Sequence, residues 1–509
     1  MNNTKICISV CARRLDELVW KISEAAAFAD VIEIRFDCLD ENELDTAELS
    51  GQLRQRLSKP GSQVPRLFTF RPSEQGGRRE ITRGERLSFW NSVATAEFAD
   101  LEEDIAAAVT ISPETMKICS HHDVAGVPEN LGAVYERLSR TGADIIKIVV
   151  TARNATDGIG VWKLLETAKT KGPPIVPIAM GEAGKWTRIL GPAHGAFMTY
   201  ASMSAGNETA PGQISADDLV DLFRVKDLDA ATKVYGIIAG DTSYSVSPYL
   251  HNAAFKITGS NAVFVPLQVE DLDEFMRLMV KADTRQIDLN FKGFSVTNPH
   301  KQNIIKHLDH VEPDASAIGA VNTVKVEEGR LLGYNTDAEG FIVPLKSVFG
   351  DLRSTRAAVV GAGGGARACI YMLKKNGAAV TVFARNAVKG KTLADEFGVE
   401  FANTPALNDD KAFSEFDIIV NATPLGTKGI MENESIASAG QLTRTKLVYD
   451  LIYNPAETRL SREAKAAGIP FIGGLEMLIG QGVRQFEIWT GKDAPRAEMT
   501  AAVRKRLGS

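Results

Sequence analysis

The chain has 509 residues, 44% of them hydrophobic and 24% charged, with a net charge of −6. That length holds about three domains of ordinary size, and the composition is that of globular protein. No basic block or tail is present and no apolar run approaches a membrane span, which argues against nucleic acid and membrane as partners. The five cysteines (Cys7, Cys11, Cys38, Cys119, Cys369) show no zinc-like or redox spacing. They are expected to be free thiols in a reducing compartment, with no metal. The amino terminus runs straight into a strand without a signal or transit segment, so a cytoplasmic location is expected.

Strand-like apolar runs begin near Lys5, Val31, Arg66, Phe98, Lys117, Ile145, Ile175 and Ala196. Helix-period segments such as 15–29 and 130–140 separate most of them. Eight such units within about 220 residues predict a (β/α)8 TIM barrel, against the alternative of an open doubly wound sheet. Residues 217–223 read as its last helix, 225–229 as a short polar link, and 233–238 as the strand that opens a second α/β portion. Residues 357–367 then read as strand, glycine turn and helix start, and 378–385 as the next strand. Together they form one unit of a Rossmann dinucleotide-binding fold.

Lys147 lies within Ile145-Ile146-Lys147-Ile148-Val149-Val150, a β-branched run that reads as a strand buried on both faces. Burial disfavours the ammonium, lowers its pKa and leaves a neutral amine able to attack a ketone and form a Schiff base. The duller alternative is a lysine that snorkels to the surface. Its neighbours favour chemistry, because barrel side chains at the carboxyl ends of strands share one rim. Glu33 and Arg35 are two apart and face the same side, as a structural ion pair or as site residues. Arg71 ends the third strand, His122 ends the fifth, and Arg188 follows the seventh in a loop. A lysine, a histidine and several arginines suit an imine-forming enzyme acting on a carboxylate. His121 competes with His122, but alternation puts the two on opposite faces.

In the second half, Gly361, Gly363, Gly364, Gly365 and Ala366 form a turn whose backbone amides can approach a pyrophosphate. The next strand ends in Arg385 with Lys389 beyond, where a ribose 2′-hydroxyl would call for an acid, so NADP is expected. Upstream lie Ser245-Val246-Ser247, Thr297-Asn298-Pro299-His300-Lys301, Val321-Asn322-Thr323 and Asn335-Thr336-Asp337. These are polar side chains suited to a polyol carboxylate, with a cation and a carboxylate for proton transfer. Each alone also fits a loop residue bonding to backbone.

Glu33-Ile34-Arg35, Thr69-Phe70-Arg71, Ser120-His121-His122-Asp123, Asp144-Ile145-Ile146-Lys147 and Ala210-Pro211-Gly212-Gln213 make residues 1–225 resemble a type I 3-dehydroquinate dehydratase. The second-half motifs, with Asn421-Ala422-Thr423-Pro424, the 449–455 segment and 474–481, resemble shikimate dehydrogenase over 233–509. The resemblance implies a barrel over 1–228, a shikimate-binding lobe over 232–337, a Rossmann NADP lobe over 338–470, and C-terminal helices over 471–509 returning to the catalytic lobe. It implies Lys147 as the Schiff-base lysine, His122 as general acid-base, and Arg188 on the substrate carboxylate. Glu33, Arg35, Arg71, Thr209 and Gln213 would bind or order the substrate. In the second half it implies Lys301 with Asp337 for the proton. Ser245, Ser247, Thr297, Asn322, Tyr453 and Gln481 would bind substrate, and Thr423 would join the cofactor residues.

The family's glutamate before Gly-Gly is Gln75 here, its serine is Thr209, and Pro424 and Thr427 also depart from the usual residues. The expected function is dehydration of 3-dehydroquinate followed by NADPH-dependent reduction of 3-dehydroshikimate to shikimate. The alternatives are a catabolic quinate or shikimate dehydrogenase with a dehydratase, and a catalytically weak sensor of these metabolites.

Overall fold

The β-branched runs of the first half form eight parallel strands in this computed structural model, which describes residues 2–44, 64–93, 96–404, 409–429 and 431–508. They are β1 (Lys5–Val10), β2 (Val31–Arg35), β3 (Arg66–Thr69), β4 (Phe98–Glu102), β5 (Met116–Asp123), β6 (Ile145–Thr151), β7 (Ile175–Met180) and β8 (Met198–Ser202). Each begins within two residues of its expected start. The order is β7-β6-β5-β4-β3-β2-β1-β8, with the short β9 (Ile214–Ser215) beside β8. The Phe197 N–H donates to Ile175 O at 2.9 Å and draws the sheet round on itself. One apolar cluster takes Cys7, Val31, Leu67, Phe98, Ile118, Ile145, Val176 and Met198, a residue from each of the eight strands. That inward convergence gives the parallel barrel a packed centre rather than a pore.

The connecting helices differ in detail from the sequence reading. Leu15–Ala25 stops four residues short of the predicted end, and Asn130 caps Leu131–Ser139 by accepting from Ala133 N. The predicted last helix is a five-residue wide turn, Asp218–Leu222. Arg188 sits on a short helix, Lys185–Leu190, and not in a loop. The expectation of five free thiols is also corrected: Cys11 and Cys38 form a disulfide with Cα atoms 5.5 Å apart. They are 27 residues apart in sequence, but each follows one of two paired neighbours, β1 and β2. Cys7, Cys119 and Cys369 are free and buried.

The described chain divides into two compact units, one of residues 1–236, 240–244 and 261–291, the other of 237–239, 245–260 and 292–509. A mixed sheet joins β10 (Lys233–Ala239), β11 (Ala262–Gln268), β12 (Phe291–Val296), β13 (His310–Val311), β14 (Thr323–Glu327) and β15 (Arg330–Tyr334) in the order β11-β10-β12-β14-β15-β13.

The last sheet holds β16 (Arg356–Val360), β17 (Ala379–Ala384), β18 (Glu400–Asn403), β19 (Ile418–Asn421), β20 (Leu447–Asp450) and β21 (Phe471–Ile472). Its order is β18-β17-β16-β19-β20-β21, all parallel. This is the doubly wound dinucleotide-binding order, with the strand order reversing between β16 and β19. Gly361 follows β16 at φ +127°, and a Cβ there would stand 2.6 Å from Ala422 O after β19. Only glycine fits that turn. Among the described residues no helix is long and apolar enough to cross a membrane, and no cluster of His, Cys, Asp or Glu could hold a metal.

Candidate active sites

Parallel pairing sets Glu102, Ser120 and Lys147 at one level across β4, β5 and β6, and Ser9 beside Glu33 across β1 and β2. These side chains turn inward over the apolar cluster. A cavity of about 190 Å³ opens above, lined by Glu33, Arg35, Arg71, Gln75, His122, Lys147, Arg188, Tyr200, Thr209 and Gln213 among others. Every residue expected in the first site thus borders one space. His121 points away toward Glu103, as alternation requires.

Lys147 is buried but not alone. Its Nζ lies 2.9 Å from Asp100 Oδ2, 3.7 Å from Glu33 Oε1 and 4.0 Å from the centre of the Tyr200 ring. Two carboxylates and an aromatic face thus surround the amine, partners that the sequence alone does not show. Asp100 also accepts from Arg71 Nη2 at 2.7 Å. Burial would raise its carboxyl, but Arg71 and Lys147 hold it down at about 2.

Arg71 Nη1 reaches His122 Nδ1 at 2.8 Å and Ser120 Oγ at 3.1 Å, and lies 3.5 Å from Glu102 Oε1. Burial first, and then the Arg71 charge, push His122 well below the usual histidine value, so the ring is neutral. Burial raises Glu102 to about 7, against Arg71 and Arg86.

The suggested Glu33–Arg35 pair does not form by direct contact. Glu33 accepts from Ser9 Oγ at 2.5 Å and Thr69 Oγ1 at 3.0 Å, whereas Arg35 grips Asp37 with two bonds of 2.8 and 2.7 Å. Asp37 also accepts from the backbone of Arg78, tying the third-strand loop to the second strand. Thr209 and Gln213 bond to each other across the loop after β8.

Arg188 stands apart. It is 2% exposed, its Nε has no partner, and among the described residues no carboxylate pairs with it. Burial lowers it to about 10. A buried cation facing a cavity without a counter-charge is a seat for an anionic substrate group. Asp100, Asp37, Ser9 and Tyr200 were missed from the sequence. The signal for Asp100 was present in Phe98-Ala99-Asp100-Leu101-Glu102, two carboxylates on one face of a buried strand.

In the second half Lys301 Nζ bonds Asp337 Oδ2 at 2.5 Å. Asn322 Nδ2 donates to Asp337 Oδ1 at 2.9 Å and to Thr336 Oγ1 at 3.0 Å. A Cβ on Gly364 would meet Lys301 Cδ at 2.9 Å, so the glycine turn lies directly beside the lysine. Ser247 and Gln481 are buried, and Ser245, Thr297 and Tyr453 are half-buried. Ser245 Oγ accepts from Ser247 N, and Gln481 Nε2 donates to Leu478 O.

A second cavity, of about 920 Å³, is lined by Gly361, Gly363, Arg385, Asn386, Lys389, Thr423 and Arg459 among others. Gly364, Gly365 and Ala366 lie outside that lining and form the first turn of the helix Gly364–Lys375. The cavity fits a dinucleotide phosphate. A Cβ on Gly363 would enter open space, which leaves the backbone bare for close approach, and two cations stand at the far strand end where a 2′-phosphate would lie. Thr423 Oγ1 donates to Asn421 Oδ1 at 2.7 Å and so shapes the loop after β19.

Comparison with known proteins matches residues 6–229 to type I 3-dehydroquinase and 237–324 to the shikimate dehydrogenase substrate binding domain. Residues 345–459 match shikimate / quinate 5-dehydrogenase, and 474–504 the shikimate 5′-dehydrogenase C-terminal domain. A chloroplastic bifunctional 3-dehydroquinate dehydratase/shikimate dehydrogenase of Arabidopsis thaliana is 34% identical, over 97% of this chain and 83% of that protein. The NADP(+) shikimate dehydrogenase of Methanocaldococcus jannaschii is 40% identical over 52% of this chain and 93% of its own length. The crystal structure of shikimate 5-dehydrogenase from Thermus thermophilus, with NADP(H) and shikimate, is 34% identical and covers 54% of this chain and 99% of its own, with a TM-score of 0.47.

Fold and sites together define a two-site enzyme, a lysine-centred barrel followed by a dinucleotide-dependent oxidoreductase. The chain belongs to the bifunctional 3-dehydroquinate dehydratase/shikimate dehydrogenase family.

Proposed function

We infer that the chain carries out two consecutive reactions, dehydration of 3-dehydroquinate to 3-dehydroshikimate and NADPH-dependent reduction of that ketone to shikimate. The observation that carries the first is Lys147 in one cavity with the neutral His122 and the unpaired, buried Arg188.

In the proposed cycle Arg188 takes the substrate carboxylate and the Lys147 amine adds to the ketone carbon. Loss of water leaves an iminium. His122 removes a proton from the adjacent carbon while the electron pair moves toward the imine nitrogen. The same proton then leaves with the departing hydroxyl as water, and hydrolysis frees Lys147. Glu33 and Arg35, held by Ser9, Thr69 and Asp37, are placed to bind ring hydroxyls, with Gln213 and Thr209 closing the rim.

In the second half NADPH, when bound, supplies the hydride. Lys301 gives a proton to the substrate oxygen, and Asp337 holds the lysine aimed. Gly361, Gly363, Arg385 and Lys389 would hold the cofactor phosphates, and Thr423 shapes the loop beside them. Gly364, Gly365 and Ala366 would present the helix amino terminus to the pyrophosphate. Ser245, Ser247, Thr297, Asn322, Tyr453 and Gln481 are proposed to bind substrate.

We propose the divisions 1–228, 232–337, 338–470 and 471–509 for barrel, substrate lobe, nucleotide lobe and returning helices, and a cytoplasmic location. Fractionation of the source cells tests the location.

Borohydride trapping with 3-dehydroquinate tests the first reaction: a covalent adduct on Lys147 is expected, and its absence sinks the Schiff-base mechanism. Initial rates with NADP against NAD, and with shikimate against quinate, test the second. Faster turnover with quinate and NAD would favour the catabolic reading.

A further inference from the structure

The Lys301–Asp337 pair stands at the end of a one-way chain of buried hydrogen-bond donors that runs from His251 through Gln485, Thr323 and Asn322. His251 and Gln485 are both 0% exposed, and His251 Nε2 lies 3.1 Å from Gln485 Oε1. An amide oxygen only accepts, so His251 carries its proton on Nε2. Burial lowers this histidine to about 3 and keeps it neutral. The amide nitrogen of Gln485 then has hydrogens to give, and it lies 3.0 Å from Thr323 Oγ1 and 3.1 Å from Ser295 Oγ. It also faces the backbone oxygen of Asn322 at 3.2 Å.

Because Thr323 Oγ1 receives from Gln485, its own hydrogen turns to Asn322 Oδ1, 2.8 Å away. Asn322 Oδ1 also accepts from Thr336 N at 2.8 Å. Two donors on one oxygen fix which way the Asn322 amide faces, and its Nδ2 is left to point at Asp337 Oδ1. Turned the other way, Asn322 would set an oxygen against the Asp337 carboxylate. Polar chains of this kind hold one arrangement when every member is satisfied.

We propose that Gln485 and Thr323 are positioning residues for the reductase reaction, which lock the Asn322 amide so that Asp337 keeps one oxygen for Lys301. Both are fully buried, so neither touches substrate or cofactor. Their effect passes through Asn322, with Thr336 Oγ1, 3.1 Å from Thr323 Oγ1 and itself bonded to Asn322, as a side branch. The inference rests on the reading of Lys301 and Asp337 as the proton-transferring pair.

The test is steady-state reduction of 3-dehydroshikimate by the full chain and its variants. Thr323→Val and Gln485→Met remove the donor links while keeping volume. Each is expected to lower kcat about tenfold, the scale of one well-placed hydrogen bond, with the KM for NADPH within about twofold. Thr323→Ser keeps the hydroxyl and should return kcat to within about twofold of the native value. Native kcat in both Thr323→Val and Gln485→Met, or a Thr323→Ser enzyme as slow as Thr323→Val, overturns the proposal. Lys301→Ala separates the two layers. If it is slow while the buried variants are not, the relay alone is wrong, whereas if it runs at the native rate the pair has no proton role and the relay has nothing to position.

Discussion

Arg71 Nη1 lies 2.8 Å from His122 Nδ1, and a guanidinium can only donate. The neutral His122 therefore accepts at Nδ1 and carries its proton on Nε2. Taking up a further proton at Nδ1 means giving up the Arg71 bond, and Arg71 is in turn held by Asp100. The Arg71 charge is second only to burial in lowering His122. Replacing Arg71 with Met should raise the His122 pKa and move the acid limb of the dehydratase kcat/KM profile to higher pH, since His122 must be neutral to act as base. A fall of about a hundredfold in kcat should accompany it. An acid limb that stays in place in Arg71→Met would separate Arg71 from the histidine's titration.

Lys147→Met should abolish both dehydration and the borohydride adduct, while reduction of 3-dehydroshikimate stays within about twofold of native. The substitution also takes the cation from Glu33 and leaves Asp100 with Arg71 alone. A buried carboxylate deprived of a partner destabilises by roughly 3–5 kcal/mol, so the first unfolding transition should move down. Calorimetry reads that shift, and an unchanged transition would mean the carboxylates are compensated by Arg71, Ser9 and Thr69 alone.

The barrel was legible because parallel strands covered on both faces leave unbroken β-branched runs, and His122 was separable from His121 by alternation alone. What sequence spacing could not supply was adjacency across strands. Asp100 meets Lys147 from two strands away, and Cys11 meets Cys38 because β1 and β2 are neighbours. The two-residue rule that puts Glu33 and Arg35 on one face applies equally to Asp100 and Glu102, and there the sequence did carry the signal. In the second half, the motifs around Lys301 and Asp337 stood out as short polar clusters. Gln485 did not, because it looks like one more polar residue on a helix until the fold buries it beside Thr323.

Asp450 is fully buried, accepting from Asn421 Nδ2, Thr458 Oγ1 and Ile452 N, and among the described residues no cation pairs with it. Burial raises its carboxyl from 3.8 to about 6. A raised carboxyl contributes its full stability below pH 3.8, where both states are protonated, and loses it as pH rises through about 6. The loss by pH 8 is on the order of 3 kcal/mol. Asp450→Asn keeps a neutral acceptor for Asn421, so its stability should vary less between pH 4 and 8 and exceed native at pH 8. Urea unfolding at the two pH values checks this, and parallel curves for native and variant would rule it out.

Arg385 directly follows β17, exposed at the cofactor cavity, where a carboxylate would favour an unphosphorylated ribose. Arg385→Ala should raise the KM for NADPH by roughly ten- to a hundredfold, the scale of a charge-assisted phosphate contact, and leave the KM for NADH nearly unchanged. Equal losses with both cofactors would show that Arg385 supports the loop and does not read the phosphate.

Arg188 sets function against stability. Its charge is buried with no carboxylate among the described residues to meet it, an arrangement the free protein sustains only at a cost. Met fills a similar length without a charge, so Arg188→Met should raise the stability of the ligand-free barrel by roughly 1–3 kcal/mol. The same change removes the proposed seat of the substrate carboxylate and should raise the KM for 3-dehydroquinate by about a hundredfold or more. Substrate should stabilise the native enzyme against heat far more than the variant, because only the native site gains a counter-charge on binding. A variant that is both less stable and unaltered in KM would mean that Arg188 is a structural cation whose partner lies in the protein.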